Sequence, residues 1–103
     1  MVERDEDTDA AADFYDRRRK WIEHISEHRG VKHATFRVGY WMAMRMNGKD
    51  QAMWWTIDRI ADRLGVDRKT VYSAIAELES LRLMIVMRTM GKPSRYLIRL
   101  PHE

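Results

Sequence analysis

Between Thr56 and Leu81 the chain carries two short apolar stripes of helical period, separated by a brief break that a single continuous helix could not accommodate. The first stripe is Ile57, Ile60, Ala61 and Leu64, and Thr56 stands before it as an N-cap. Gly65-Val66 interrupts the period. Asp67 then caps a second helix running to about Leu81, with Val71, Ala74, Ile75, Leu78 and Leu81 along its buried side. Each residue around the break has a packing reason. Ala61 is small where the second helix must cross closely, and Gly65 gives the turn its unusual backbone angle. Val66 plugs the gap between the helices, while Val71 and Ile75 pin the second to the first.

After Leu83 the pattern becomes strand-like. Residues 84–89 (MIVMRT) and 95–100 (RYLIRL) flank Met90-Gly91-Lys92-Pro93-Ser94, the expected tip of a hairpin. Upstream, a helix is expected from Phe14 to Arg29, with Phe14, Trp21 and Ile25 on one stripe, Ile22 beside it and Gly30 as the stop. Another is expected from Lys32 to Met46, where Ala34, Val38, Trp41 and Met42 repeat at core spacing and Asn47-Gly48 ends it. Ala52 to Trp55 reads as a short strand. Residues 1–13 have almost no large apolar side chains and are expected to be a disordered acidic tail, leaving 14–103 as one domain.

Charge divides along the same line. The tail holds Glu3, Asp5, Glu6, Asp7, Asp9 and Asp13 against Arg4, a net of −5, which leaves +8 on the rest of a chain whose total is +3. A body this basic suits a polyanion, since each neutralised phosphate releases condensed counterions. The acidic tail is expected either to compete with phosphates for that body or to serve solubility alone. At 103 residues with 45% hydrophobic content the chain holds one compact domain. No apolar run is long enough to span a membrane, the first residues do not look like a signal peptide, and there is no Cys. A soluble cytoplasmic protein is the expectation.

The segment TIDRIADRLGVDRKTVYSAIAELESL (56–81) resembles a helix-turn-helix, and the basic hairpin that follows makes it look like a winged one. From about His33 to Leu100 the layout is similar to the helix-turn-helix domains of bacterial plasmid and phage replication initiators and mobile-element regulators, with Thr70-Val71, Ile75 and Leu78 in the family's arrangement. It departs at Arg82, where the family usually has Gly, which leaves the turn into the wing open. The resemblance implies a mainly α fold with a small β-hairpin wing and an extra N-terminal helix. It also implies double-stranded DNA as partner, no cofactor, and a place on the bacterial nucleoid. Transcription regulation is the leading role, favoured by the small size over full replication initiation; excisionase-like architectural binding is a further alternative. A protein-interaction winged helix is the alternative of another class, and the retained Arg68 and Lys69 weigh against it.

Helical geometry selects the readers. With Val71 facing the core, a 100° step per residue puts Lys69, Ser73, Ala76 and Ser80 on the opposite face. Three of the four are small, so the helix could sit deep in a major groove. Arg68, Lys69, Tyr72 and Ser73 are the expected base and phosphate contacts, and Thr70 either binds phosphate or caps the helix. The wing offers Arg88, Lys92, Ser94 and Arg95. In the first helix, Arg17, Arg18, Arg19 and Lys20 are expected to hold phosphate, and the aromatic-rich stripe with Trp21 and Ile25 to join a homodimer.

Other signals have plainer readings. His24, His28 and His33 lack a fourth ligand, so no metal is expected, and the eight Met residues read as core filler. Trp54 and Trp55 cannot both face the core from a strand, so one is assigned to an interface. Only Ser26 has a histidine nearby in sequence, and no carboxylate pair or phosphate loop stands out, so an enzyme is not expected.

Overall fold

The computed structural model describes residues 6–103, with side chains from residue 9 onward. Its elements are α1 (Glu6–Glu27), α2 (His33–Met44), α3 (Ile57–Leu64), α4 (Arg68–Ser80), β1 (Met84–Met87) and β2 (Arg95–Ile98). The strands pair antiparallel, Met84 opposite Ile98 and Met87 opposite Arg95. Four helices and a two-stranded hairpin in this order are a winged helix-turn-helix with one added helix.

Side-chain caps set both starts of the helix-turn-helix. Thr56 Oγ1 accepts from the Arg59 amide at 3.2 Å, and Asp67 Oδ1 accepts from the Thr70 amide at 2.8 Å. Both helices also end alike. The Val66 amide donates to Ala61 O and the Gly65 amide to Asp62 O, with Gly65 at φ 67°. One helix later, the Leu83 amide donates to Leu78 O and the Arg82 amide to Glu79 O, with Arg82 at φ 60°. This paired closure needs a left-handed residue, normally Gly. At Arg82 the turn into the wing forms as it does after α3, and arginine occupies the left-handed position.

The core is built on α4. Val71, Ala74, Ile75 and Leu78 are buried, and α4 packs chiefly on α2, then on α3. Gly39 makes the contact with α2 possible. A methyl group there would lie 3.0 Å from Leu78 Cδ1 and 3.2 Å from the Trp21 ring, so α1, α2 and α4 converge at a residue without a side chain.

Three expectations are corrected. First, Ala52–Trp55 is not a strand but a single bridge, Met53 to Tyr96, with N–H···O distances of 3.1 and 3.0 Å. Gln51 enters it at φ 56° and Thr56 already caps α3, so no length remains for a ladder. Second, α1 begins at Glu6, not Phe14, so residues 6–13 are helical; residues 1–5 of the expected tail lie outside the described residues. Acidic residues are favourable at a helix N-terminus, and Ala10–Ala12 have the highest helix propensity. The loop after α2 meets this end. Gln51 Nε2 donates to Ala10 O at 3.4 Å, and the Gly48 amide donates to the Tyr15 hydroxyl at 3.2 Å.

Third, Trp21 and Ile25 do not face outward for a partner. They are 0% and 1% exposed, packed in this chain's own core with Phe14. The Trp21 indole N–H donates to Leu83 O at 2.7 Å. The stripe is covered within this chain, at the point where α1, α2 and α4 converge, which removes it as a homodimer surface.

Trp21→Ala is therefore expected to lower folding stability by about 3–5 kcal/mol in urea unfolding, with no change in association state before unfolding. Arg82→Gly is expected to raise stability by up to about 1 kcal/mol, because relief of the left-handed strain exceeds the added flexibility of the unfolded chain. Gly65→Ala should lower it by about 1 kcal/mol. An Arg82→Gly variant less stable than the wild type would show that the arginine side chain makes a contact outweighing its backbone strain.

Candidate nucleic-acid interface

The α4 face opposite Val71 is open. Lys69, Ser73, Ala76 and Ser80 are all exposed, as helical geometry requires once Val71, Ala74 and Leu78 are buried. The expected site residues then divide between two flanks. On the wing side, Arg68 and Tyr72 share a cleft with Thr56 at the start of α3 and with Lys92 and Ser94 from the hairpin tip. On the other side, Lys69, Thr70 and Ser73 line a hollow with Lys32, Asp67 and Glu77. The fold thus brings recognition-helix and wing residues into one continuous surface.

Local partners assign several of these residues. Thr70 is a cap: its hydroxyl donates to Asp67 Oδ1 at 2.6 Å, alongside its amide. The Thr70 hydroxyl, and then its N–H, hold the Asp67 carboxyl below the usual carboxylate range. Arg68 Nε lies 2.8 Å from Asp58 Oδ1, with the guanidinium 5.8 Å from the Tyr72 ring centre. Arg88 forks onto Glu79 of α4 with two bonds of 3.1 Å. Hydrogen bonding to Arg88 lowers the Glu79 carboxyl below its ordinary value and raises the guanidinium in turn. Arg88 therefore ties the wing to the recognition helix. The Ser94 hydroxyl bonds Tyr96, whose phenol is pushed up chiefly by burial. Lys69 and Lys92 form no ion pair with any of the described residues.

Arg95 does not join them. The strand alternation that sends Val86 and Tyr96 toward α4 puts Arg95 on the other face of the hairpin, beside Trp54 at 5.5 Å. Its Nε is buried without a hydrogen-bond partner. The paired tryptophans do separate, though not by strand alternation, since Ala52 and Met53 before them are both buried: Trp55 packs on the core and Trp54 is 43% exposed.

The Arg17–Lys20 cluster is engaged by neighbours. Arg17 forks onto Glu103 at 2.7 and 2.6 Å, which holds that carboxyl below its ordinary range. Arg18 donates to Met46 O at 3.2 Å and lies 4.8 Å from the Tyr15 ring centre. Arg19 and Lys20 both reach Asp16 at 2.9 Å. Hydrogen bonds from Lys20 and Arg19 lower the Asp16 carboxyl. Exposed pairs of this kind contribute little stability, yet each is a competitor that a phosphate must displace.

Sequence reasoning missed Glu77. The N-cap position of α2, Lys32, supplies no side-chain cap; instead Glu77 of α4 accepts from the Lys32 amide and from the Thr35 hydroxyl, both at 3.1 Å. Thr35 is a buried polar residue of the core. One carboxylate thus caps α2 and fixes the recognition helix against it. Similarly, Arg37 Nη2 donates to Leu64 O at 2.9 Å, closing the end of α3 from α2. The sequence holds only a faint signal for Glu77: a carboxylate beside the buried stripe, where solvent-facing positions were available.

A family described as a helix-turn-helix domain matches residues 30–84, which take in α2, α3, α4 and the start of β1. Curated proteins give no match. Among the described residues no helix is long and apolar enough to cross a membrane, and no three metal-ligating side chains converge.

Glu77→Ala is expected to lower stability by about 1–2 kcal/mol and Glu77→Gln by less, because the amide still accepts one of the two bonds. Equal losses in urea unfolding would mean that packing, not the shared carboxylate, carries the joint.

Proposed function

This chain belongs to the helix-turn-helix domain family, and we propose that it is a sequence-specific double-stranded DNA-binding protein regulating transcription. The observation that carries this reading is the open face of α4. Small side chains at Ser73, Ala76 and Ser80 allow close approach to a groove floor, while Lys69 stands exposed near the helix N-terminus, free of ion pairs among the described residues. Arg68, Tyr72, Lys92 and Ser94 flank that face, suited to the phosphates on the wing side.

A protein-docking role fits less well, since a docking helix has no use for the exposed basic residues Arg68 and Lys69 at its start. Replication initiation and DNA bending use the same contacts and differ in where the sites lie. Recovery of bound genomic fragments separates them: promoter-proximal sites support regulation, whereas iterated origin sites or attachment sites replace it. Two copies on adjacent half-sites provide the base pairs that specificity needs. Any contact between them lies away from Trp21 and Ile25.

Lys69→Ala and Ser73→Ala are expected to cost about 1–3 kcal/mol on the selected site and little on random DNA, narrowing the ratio between them. Lys92→Ala should weaken both alike and reduce the salt slope by about 1. Competition binding on both DNAs checks this. Uniform loss in all three variants would remove α4 as the reading element.

A further inference from the structure

Trp41 on α2 and Trp55 before α3 meet edge to face, ring centres 5.1 Å apart and planes at 79°. Three arginines stack on this pair. The Arg45 guanidinium lies 4.0 Å from the Trp41 ring centre, and those of Arg59 and Arg63 lie 4.0 and 5.5 Å from that of Trp55. All three arginines are exposed, and among the described residues none pairs with a carboxylate. Arg17, Arg19, Arg68 and Arg88, by comparison, each have an acidic partner.

A guanidinium lying on an indole is held in orientation for an anion with two acceptor oxygens; Arg45 also donates from Nη1 to Trp41 O at 3.4 Å, which fixes it further and leaves its other N–H groups for the anion. Charge repulsion among three such groups is the standing cost of the arrangement, and an anion relieves it. On α3, Arg59 and Arg63 lie one turn apart, and although Asp62 is three residues from Arg59, neither arginine is paired with Asp58 or Asp62, Asp58 being engaged by Arg68. The arginine ladder is also continuous with the α4 cleft, because Trp55 lines that cleft beside Thr56, Arg68 and Lys92.

We infer that Arg45, Arg59 and Arg63, held on the Trp41–Trp55 pair, form a second phosphate-binding surface that takes the backbone of the same duplex beyond the stretch covered by α4 and the wing. The inference rests on the DNA-binding reading above. The continuity with the cleft favours duplex phosphate over an acidic protein segment as the anion. A duplex following both surfaces is drawn along the outer side of α3, which lengthens the footprint without adding base contacts.

The test compares salt dependence on a long random-sequence duplex and on one trimmed to the span of α4 and the wing. Arg59→Gln/Arg63→Gln should make the slope of log K against log salt shallower by about 1.8 on the long duplex, narrowing the gap to wild type about 12-fold between roughly 50 and 200 mM salt. Arg45→Gln alone should remove about 0.9. Neither should change the slope on the trimmed duplex. Arg59→Lys/Arg63→Lys should retain the wild-type slope, since the charges remain, and thermal melting confirms that each variant is folded. An unchanged slope for the Gln variants, with Lys92→Ala still losing about 1, overturns the second surface and leaves the DNA-binding reading intact. Wild-type protein that binds neither duplex overturns both. Labelled polyglutamate lost on Arg59→Gln/Arg63→Gln, with duplex binding unaltered, assigns the ladder to an acidic protein segment and overturns the inference.

Discussion

The backbone of Leu83 joins three parts of the protein that are distant in sequence. Its carbonyl accepts the Trp21 indole N–H of α1 at 2.7 Å and the Arg99 amide beyond β2 at 3.0 Å, while its own amide closes α4 on Leu78 O at 2.9 Å. The side chain is buried in the core formed around α4. Because these bonds share one peptide segment, the end of the recognition helix, the root of the wing and the added helix cannot move independently. Buried, fully used polar groups of this kind specify one arrangement more than they add stability. The left-handed Arg82 just before it is the local strain that places Leu83 there.

The same logic of shared anchors shapes the DNA-facing side. Glu77 fixes α4 to the start of α2, and Glu79 fixes α4 to the wing through Arg88. One carboxylate on each flank of the helix is thereby consumed in holding it, and the outward face is left to Lys69 and small residues. A recognition helix held from both sides presents its contacts with little entropy left to lose on binding.

The local chemistry of the helix-turn-helix was legible in the sequence. Thr56 and Asp67 are caps at the expected positions, Ile57–Leu64 has the expected limits, and the buried stripe of α4 holds Val71, Ala74, Ile75 and Leu78 as its period requires, while Leu81, expected at its end, is exposed. What could not be read was long-range. Arg17 meets Glu103 across 86 residues, Thr35 meets Glu77 across 42, and neither pairing leaves a periodic trace. The burial of Trp21 and Ile25 was hidden for the same reason, since a stripe covered by its own chain and one covered by a second copy have the same spacing. The acidic start of α1 misled because one composition suits both a disordered tail and a helix N-terminus. Arg95 was misplaced because its distance from the hairpin tip does not say which face of the strand it takes.

The central claim is that α4 presents its Lys69–Ser73–Ala76–Ser80 face to duplex DNA, steadied by the wing. Titrating duplex DNA into isotope-labelled protein and following the backbone amide resonances tests it directly. The account predicts that the largest shifts fall on residues 68–76 and on the hairpin tip around Lys92, with α1 near Trp21 and Ile25 undisturbed. Shifts centred on α1, with α4 unperturbed at saturating DNA, would contradict it.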